Sequence, residues 1–193
     1  MKHKLLIESL AAGLLAVGLI SLGTAAADTA EFQFTTVEGK SIRLSDYRGQ
    51  WVLVNFWAHW CPLCWPEVPD LNALDQRDDF VVIGVGMDYG PDENAARHAI
   101  TRHGLRYEAL VLGGNRREPC AASHQVGPVN FYPTSYLYAP DGSPAAYIPG
   151  PLSKGRMLAY IATHDGSALA RATDRAPSQP DLAAVSGRSG RRC

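Results

Sequence analysis

The feature that most constrains this chain is an apolar segment that runs into a closely spaced pair of cysteines. Residues 51–58 read Trp-Val-Leu-Val-Asn-Phe-Trp-Ala, and Cys61-Pro-Leu-Cys64 follows after His59 and Trp60. Such a run, rich in β-branched and aromatic residues, predicts a buried strand. Two thiols separated by two residues close a small ring, so this spacing favours dithiol–disulfide exchange, which needs no cofactor.

Other interpretations of the cysteine pair have less support. Half of a zinc site has the same spacing, but the sequence contains no second Cys-x-x-Cys or Cys-x-x-His to complete a tetrahedron. A structural bridge across so short a loop adds little stability. A copper-handling site formed by Cys61, Cys64 and His59 is a further alternative. A peroxidase is disfavoured because the pair does not have the pattern of a lone peroxidatic cysteine.

The first residues predict export. Lys2 and Lys4 precede an apolar stretch at 10–22, and three alanines at 25–27 form a small-residue cleavage site. This pattern predicts a signal peptide over residues 1–27, cleaved after Ala27, and a periplasmic or otherwise exported protein. The alternative is an uncleaved membrane anchor, although the uncharged run is short of the about 20 residues that a spanning helix needs. Membrane contact is expected only in that case.

Composition predicts one globular domain followed by a tail. The chain has 193 residues, 46% of them hydrophobic, and a formal net charge of −1, which gives no sign of a nucleic-acid partner. Small and polar residues dominate residues 166–193, so we predict one folded domain over 28–165 and a disordered tail over 166–193. A bridge between Cys120 and Cys193 is conceivable, but a packed Cys120 and a free Cys193 are preferred.

Alternating strand and helix patterns predict an α/β fold. A central sheet that is largely parallel, with an antiparallel hairpin at its end, is the expected arrangement. The predicted strands are 32–36, 41–44, 51–58, 80–87, 107–112, 134–138 and 145–148, and the predicted helices run from the cysteine motif to about 78, over 92–103 and over 153–164.

Three segments carry a family resemblance. They are residues 55–64 with Glu67 and Pro69, residues 44–49 (Leu-Ser-Asp-Tyr-Arg-Gly), and Tyr132-Pro133-Thr134 before a turn at 140–142. Together they resemble the thioredoxin fold and, more narrowly, the exported TlpA/ResA-like thiol–disulfide oxidoreductases. The resemblance covers about residues 31–164 and is looser at 113–128. It implies a central mixed sheet flanked by helices, with an N-terminal β-hairpin extension.

The resemblance also implies roles for individual residues. Cys61 corresponds to the nucleophile, Cys64 to the resolving thiol and Pro133 to a cis proline beside them. Glu67 corresponds to an acid that exchanges protons with the resolving thiol. We expect the substrate-binding surface to include Trp60, Pro62, Tyr132 and Thr134.

Partners and reaction direction follow from the same resemblance. It implies protein substrates that contain disulfides, a membrane thiol protein as electron donor, and a contribution to cytochrome c maturation. The Trp-Cys entry, Glu67 and Asn55, which replaces the buried Asp of thioredoxins, favour a reductant. Pro62 favours the alternative, a dithiol oxidase that donates its disulfide.

Local physics adds expectations about the cysteine motif. Cys61 is predicted at a helix N-cap and Pro62 at the first helical position, where the helix dipole would favour the thiolate. Cys64, one turn later, is expected to be more buried. Pro66 and Pro69 fall inside the same predicted helix, where proline kinks or restarts it.

Overall fold

The structure is a computed structural model that describes the backbone of residues 30–170 and the side-chain surroundings of residues 30–164. The predicted signal peptide at 1–27 and most of the predicted tail, residues 171–193, lie outside the described residues. Within the described part, no helix combines the length and apolar character needed to cross a membrane.

Strand β3 (Trp51–Ala58) is the middle strand of a five-stranded sheet, and all of its residues are buried. On one side lie β4 (Phe80–Met87) and β5 (Ala109–Leu112), both parallel to it. On the other side lie β6 (Thr134–Tyr138) and β7 (Pro144–Pro149), which pair antiparallel. The predicted mixed sheet is confirmed. The predicted antiparallel hairpin at the end of the sheet is confirmed as β6 and β7, and β6 also runs antiparallel to β3.

The predicted N-terminal hairpin is confirmed as β1 (Gln33–Thr35) paired with β2 (Ser41–Arg43). Its buried positions alternate with exposed ones, as expected for a strand pair with one face on the core. Thr36 forms an isolated bridge with Val111 of β5. The hairpin therefore lies against an edge strand of the main sheet and covers part of that edge.

Within residues 30–170, four α-helices accompany the sheet. They are α1 (Val68–Asp75), α2 (Glu93–His103), α3 (Ser123–Val126) and α4 (Lys154–Ala170). Asp92 caps α2 through a bond from the Asn94 N–H, and Gly104 ends it in the left-handed region at φ 67°. Pro91 directly precedes this cap. Helix α4 continues past the predicted domain boundary at 165.

Helix α1 is shorter than the sequence predicts, because it ends at Asp75 and not at about residue 78. The Asp75 carboxylate instead accepts backbone N–H groups from Val82, at 2.7 Å, and from Glu108, at 2.8 Å. These bonds connect the end of α1 to β4 and to the start of β5. Burial raises the pKa of this carboxyl, and the two bonds oppose that rise.

The preferred interpretation of Cys120 is wrong. Its side chain is exposed, not packed, and the residue is disulfide-bonded. It lies in the irregular segment between β5 and α3, which the sequence could not connect to the core. Cys193, whose free thiol was the other half of the prediction, lies outside the described residues.

Trp57 and Gly86 form a tight pair across the centre of the sheet. They are register partners in β3 and β4. A Cβ atom added at Gly86 would lie 2.9 Å from Cζ2 and 3.0 Å from Cη2 of the Trp57 ring. That ring is 1% exposed and packs against Trp65 with centroids 5.9 Å apart. The absence of a side chain at Gly86 therefore provides the space for the indole beneath the cysteine motif.

We expect Gly86→Ala to lower the free energy of unfolding by about 1–3 kcal/mol, since the Trp57 ring must move in a filled core. Urea denaturation of the oxidised protein measures this change. Gly155→Ala in α4 is the control, because nothing lies within 4 Å of the added atom. It should leave stability unchanged or raise it by up to about 1 kcal/mol. A Gly86→Ala variant as stable as the unchanged protein would contradict the packing described.

Candidate active site

The strand register brings three distant segments to one edge of the sheet. Ala58, the last residue of β3, pairs with Met87, the last residue of β4. Phe56 pairs with Thr134, the first residue of the antiparallel β6. The residues after Ala58, after Met87 and before Thr134 therefore leave or enter the sheet at the same end. The cysteine motif, Asp88 and Tyr132-Pro133 all lie there.

Cys61 and Cys64 form a disulfide in a tight turn. Their Cα atoms are 5.6 Å apart, in the range for bridged cysteines. The Cys61 N–H donates to the Ala58 carbonyl at 2.9 Å, and the Cys64 N–H donates to the Cys61 carbonyl at 3.3 Å. The two side chains are 3% and 2% exposed, so the predicted difference in burial between them is absent.

The predicted helix start at Cys61 is wrong. Residues 62–64 form a turn, a short 3-10 helix covers Trp65–Glu67, and α1 begins only at Val68. Pro66 and Pro69 each lie in the first two positions of one of these helices, where their missing N–H is not needed. A continuous α-helix cannot extend back through Pro66. Cys61 is therefore not an N-cap, and α1 begins seven positions along the chain from it.

Exposed apolar side chains surround the disulfide. Trp60 is 54% exposed, Leu63 is 57% exposed and Phe131 is 46% exposed. Pro62 is also exposed. Of the two tryptophans that precede the motif, Trp57 belongs to the core and Trp60 to the surface. The edge of the Trp60 ring meets Tyr132, with centroids 5.6 Å apart.

The Tyr132-Pro133 peptide bond is cis, as the family resemblance implies. Pro133 is buried, and its carbonyl accepts the Gly150 N–H at 2.9 Å. Thr134 is fully buried, and its hydroxyl donates to the Phe131 carbonyl at 2.8 Å. The Thr134 side chain therefore stabilises the loop from the interior of the protein. Tyr132 lies closer to the surface of the site than Thr134 does.

Glu67 is a buried carboxyl held at both oxygens. Asn55 Nδ2 donates to Oε1 at 2.9 Å, and the Leu152 backbone N–H donates to Oε2 at 2.9 Å. The same Asn55 group also reaches Ser135 Oγ at 3.0 Å. Burial raises the pKa of Glu67 to about 7, and its two hydrogen bonds oppose that rise. The carboxyl therefore gains and loses a proton near neutral pH.

His59 does not complete a metal site in this structure. It is half-buried, and its Nδ1 has no hydrogen-bond partner among the described residues. Among those residues, no group of three or more His, Cys, Asp or Glu side chains is placed to hold a metal ion. Cys61, Cys64 and His59 are therefore not brought together as the ligand set that the copper interpretation needs.

Several site residues were missed by sequence reasoning. Leu63 lies between Pro62 and Cys64, and Phe131 directly precedes Tyr132. Their position beside predicted site residues was the signal that could have identified them. Asp88 directly follows a predicted strand that ends beside the cysteine motif. Arg116 lies in the segment with the loosest family match, and only the fold places it against Asp88.

A buried Cys-x-x-Cys disulfide at the end of a central strand, beside a cis proline, defines a thioredoxin-fold thiol–disulfide oxidoreductase. The model of the AhpC/TSA family matches residues 23–142. The thiol-disulfide oxidoreductase ResA of Bacillus thuringiensis is 30% identical over 132 residues, which are 67% of this chain and 72% of that protein. The chain therefore belongs to the AhpC/TSA family, as a ResA-like thiol–disulfide oxidoreductase.

Solved structures agree with this fold. A DsbF homologue from Corynebacterium diphtheriae has a TM-score of 0.60 at 23% identity, covering 71% of this chain and 86% of that one. The exposed lipoprotein thioredoxin Etrx1 from Streptococcus pneumoniae has a TM-score of 0.52 at 28% identity, covering 69% and 99% respectively. The predicted thioredoxin fold is thus confirmed.

The Glu67 carboxyl should make stability depend on pH. Its pKa rises from an ordinary 4.5 to about 7 on folding, so the native state binds an extra proton between these values. The free energy of unfolding should therefore fall as pH rises from about 4.5 to about 7, by roughly 2–3 kcal/mol. Urea denaturation of the oxidised protein at several pH values measures this slope.

Glu67→Gln removes the titrating group and should flatten the curve in that interval. The variant should also be less stable than the unchanged protein at low pH, since its amide NH₂ faces a donor. Glu38→Gln, at an exposed residue of the β1–β2 turn, is the control and should retain the slope. A slope that survives Glu67→Gln would assign the pH dependence to another group.

Proposed function

We propose that this oxidoreductase is an exported reductant of protein disulfides, in which Cys61 attacks the substrate and Cys64 releases it. The observation that carries this proposal is the Cys61–Cys64 pair surrounded by exposed apolar side chains of Trp60, Leu63 and Phe131. Exposed apolar clusters of this kind are typical of protein-binding surfaces. A protein substrate fits such a rim better than a small charged molecule does.

The exchange proceeds in two displacements. The Cys61 thiolate attacks one sulfur of the substrate disulfide, and the substrate S–S bond breaks as a mixed disulfide forms. The Cys64 thiolate then attacks the Cys61 sulfur and expels the second substrate sulfur. The substrate takes up two electrons and two protons, and the enzyme is left as the Cys61–Cys64 disulfide. A membrane thiol protein restores the dithiol.

Glu67 supplies the proton chemistry of the second step in this proposal. It lies three residues after Cys64, and its pKa of about 7 lets it accept a proton at neutral pH. Asn55 and the Leu152 N–H hold the two oxygens in place. The carboxylate takes the proton of Cys64 as that thiol becomes the attacking thiolate. Tyr132-Pro133 forms the opposite wall, against which the substrate backbone lies.

The direction of electron flow rests on the surroundings of the pair. Asn55 and Glu67 resemble the reductant branch of the family. The described chain passes from β4 through α2, β5 and the short α3 to β6, with no large helical insertion of the oxidant type. Pro62, directly after Cys61, supports the alternative in which the protein donates its disulfide.

The proposed location is outside the cytoplasm. It rests on the predicted signal peptide at 1–27 and on the likeness to Etrx1 of Streptococcus pneumoniae, which is an exposed lipoprotein. Proteins undergoing cytochrome c maturation are the proposed substrate class. A deletion strain that retains normal haem-stained c-type cytochromes would contradict that assignment and leave the exchange mechanism intact.

Cysteine variants test the division of roles. Cys64→Ser should accumulate mixed disulfides, since no second thiol can release the substrate, whereas Cys61→Ser should accumulate none. Non-reducing gels and mass spectrometry of the linked peptides measure the adducts. With dithiothreitol as the electron source, the unchanged protein should accelerate insulin reduction and both variants should not. Adducts through Cys64 alone would reverse the assignment, and an inactive unchanged protein would refute the proposed reduction.

A further inference from the structure

A polar cluster on the β4 side of the site joins Tyr132 of the proposed wall to Asp88 and Arg116, which have no part in the exchange steps described above. Asp88 is its centre. Its Oδ2 accepts the Tyr132 hydroxyl at 3.0 Å and pairs with Arg116 Nε at 2.9 Å. Its Oδ1 accepts the Arg116 backbone N–H at 2.9 Å. One carboxylate thus holds two residues that lie 28 and 44 positions away in the chain.

The Asp88–Arg116 pair is shielded from solvent. Its side chains are 18% and 29% exposed, the lowest values among the ion pairs found in the described residues. The pair of Arg77 with Asp79, by comparison, has side chains 37% and 52% exposed. Shielding reduces screening and favours a fixed geometry. The Asp88–Arg116 pair is therefore suited to hold the segments around these two residues in a fixed arrangement.

Arg116 extends the cluster to the loop that precedes the cis proline. Its Nη1 donates to the carbonyls of Val129, at 3.2 Å, and Asn130, at 3.1 Å. Its guanidinium carbon lies 5.2 Å from the centre of the Tyr132 ring. The loop is thus attached to Arg116 through its backbone and through an aromatic face, and Arg116 is attached to Asp88.

The backbone of Asp88 reaches the opposite wall of the site. Its carbonyl accepts Trp60 Nε1 at 3.3 Å, and its N–H donates to the Gly114 carbonyl at 3.0 Å. The residue has φ of 52°, a left-handed conformation that Asp and Asn tolerate better than most side chains. Asp88 therefore contacts both Trp60 and Tyr132, whose rings also contact each other.

We infer that Asp88 is a positioning residue that holds Trp60 against the Tyr132-Pro133 wall and so fixes the shape of the substrate groove beside the cysteines, and that it thereby favours protein disulfides over small ones. The inference rests on the proposed function of the same site. A small disulfide needs only access to Cys61, whereas a folded or extended protein segment must also pack against the surface that Trp60 and Tyr132 form together. Loss of the Asp88 carboxylate should therefore weaken reaction with protein substrates selectively.

The test compares two disulfides. Pre-reduced enzyme is mixed with insulin or with glutathione disulfide, and the second-order rate constants are measured. Asp88→Asn keeps the shape and the tolerated backbone conformation but places an amide NH₂ against Arg116 Nε and the Tyr132 hydroxyl. We expect the insulin rate constant to fall about ten-fold, as for loss of a charged hydrogen bond, with the glutathione disulfide rate constant unchanged.

Asp79→Asn is the matched control, because the same substitution removes the Arg77–Asp79 ion pair, which lies away from the groove. Both rate constants should stay unchanged in this variant. Tyr132→Phe removes one hydroxyl bond and should lower the insulin rate constant alone, by about three-fold. If Asp88→Asn fails to fold, Tyr132→Phe decides. Equal losses with both disulfides, or no loss with insulin, would overturn the inference. Failure of the unchanged protein with both disulfides would instead refute the proposed function, and the inference with it.

Discussion

The pairing of β3 on both of its edges is the constraint on which the site depends. All eight of its residues pair with β4 in parallel, and five pair with β6 in the opposite direction. The parallel neighbour leaves the sheet where β3 does, and the antiparallel neighbour enters there. This geometry alone brings the cysteine turn, Asp88 and Tyr132-Pro133 together. A slip of one residue would turn Asn55 away from Glu67, because side chains alternate between faces.

Glu67 is a buried carboxyl whose proposed role in proton transfer comes at some expense of stability. Burial disfavours its charged form, and the bonds from Asn55 and Leu152 only partly oppose that effect. The result is a carboxyl that titrates near neutral pH, where thiol exchange needs a proton carrier. A fully solvated carboxylate would leave the fold indifferent to pH and would hold almost no proton there.

The elements with strong local signals could be predicted from the sequence. The apolar runs at 51–58 and 80–87, the hairpin around Gly39 and the end of α2 at Gly104 carry their own determinants. The start of α1 was predicted wrongly. Cys61 followed by Pro62 resembles a helix start, but Pro66 prevents one continuous helix, and α1 begins only at Val68.

Contacts between distant residues were also beyond sequence reasoning. The Leu152 N–H reaches Glu67 from 85 positions away. The exposed, bonded state of Cys120 and the Asp88–Arg116 pair depend on irregular segments without a repeating pattern. Of the candidate site, the cysteines, Glu67 and Pro133 were identified from motifs. The hydrogen-bond network around Asp88 required the register of the folded sheet.

The central claim is reversible dithiol chemistry at Cys61 and Cys64. Its most direct measurement is equilibration of the folded protein in buffers of defined glutathione or dithiothreitol potential. Alkylation followed by mass spectrometry then counts the free thiols at each potential. The account predicts one reversible two-electron transition at these two residues, with a midpoint nearer about −270 mV than about −120 mV. A midpoint near the higher value would reverse the direction of electron flow. A pair that shows no reversible transition in the folded protein would contradict the account.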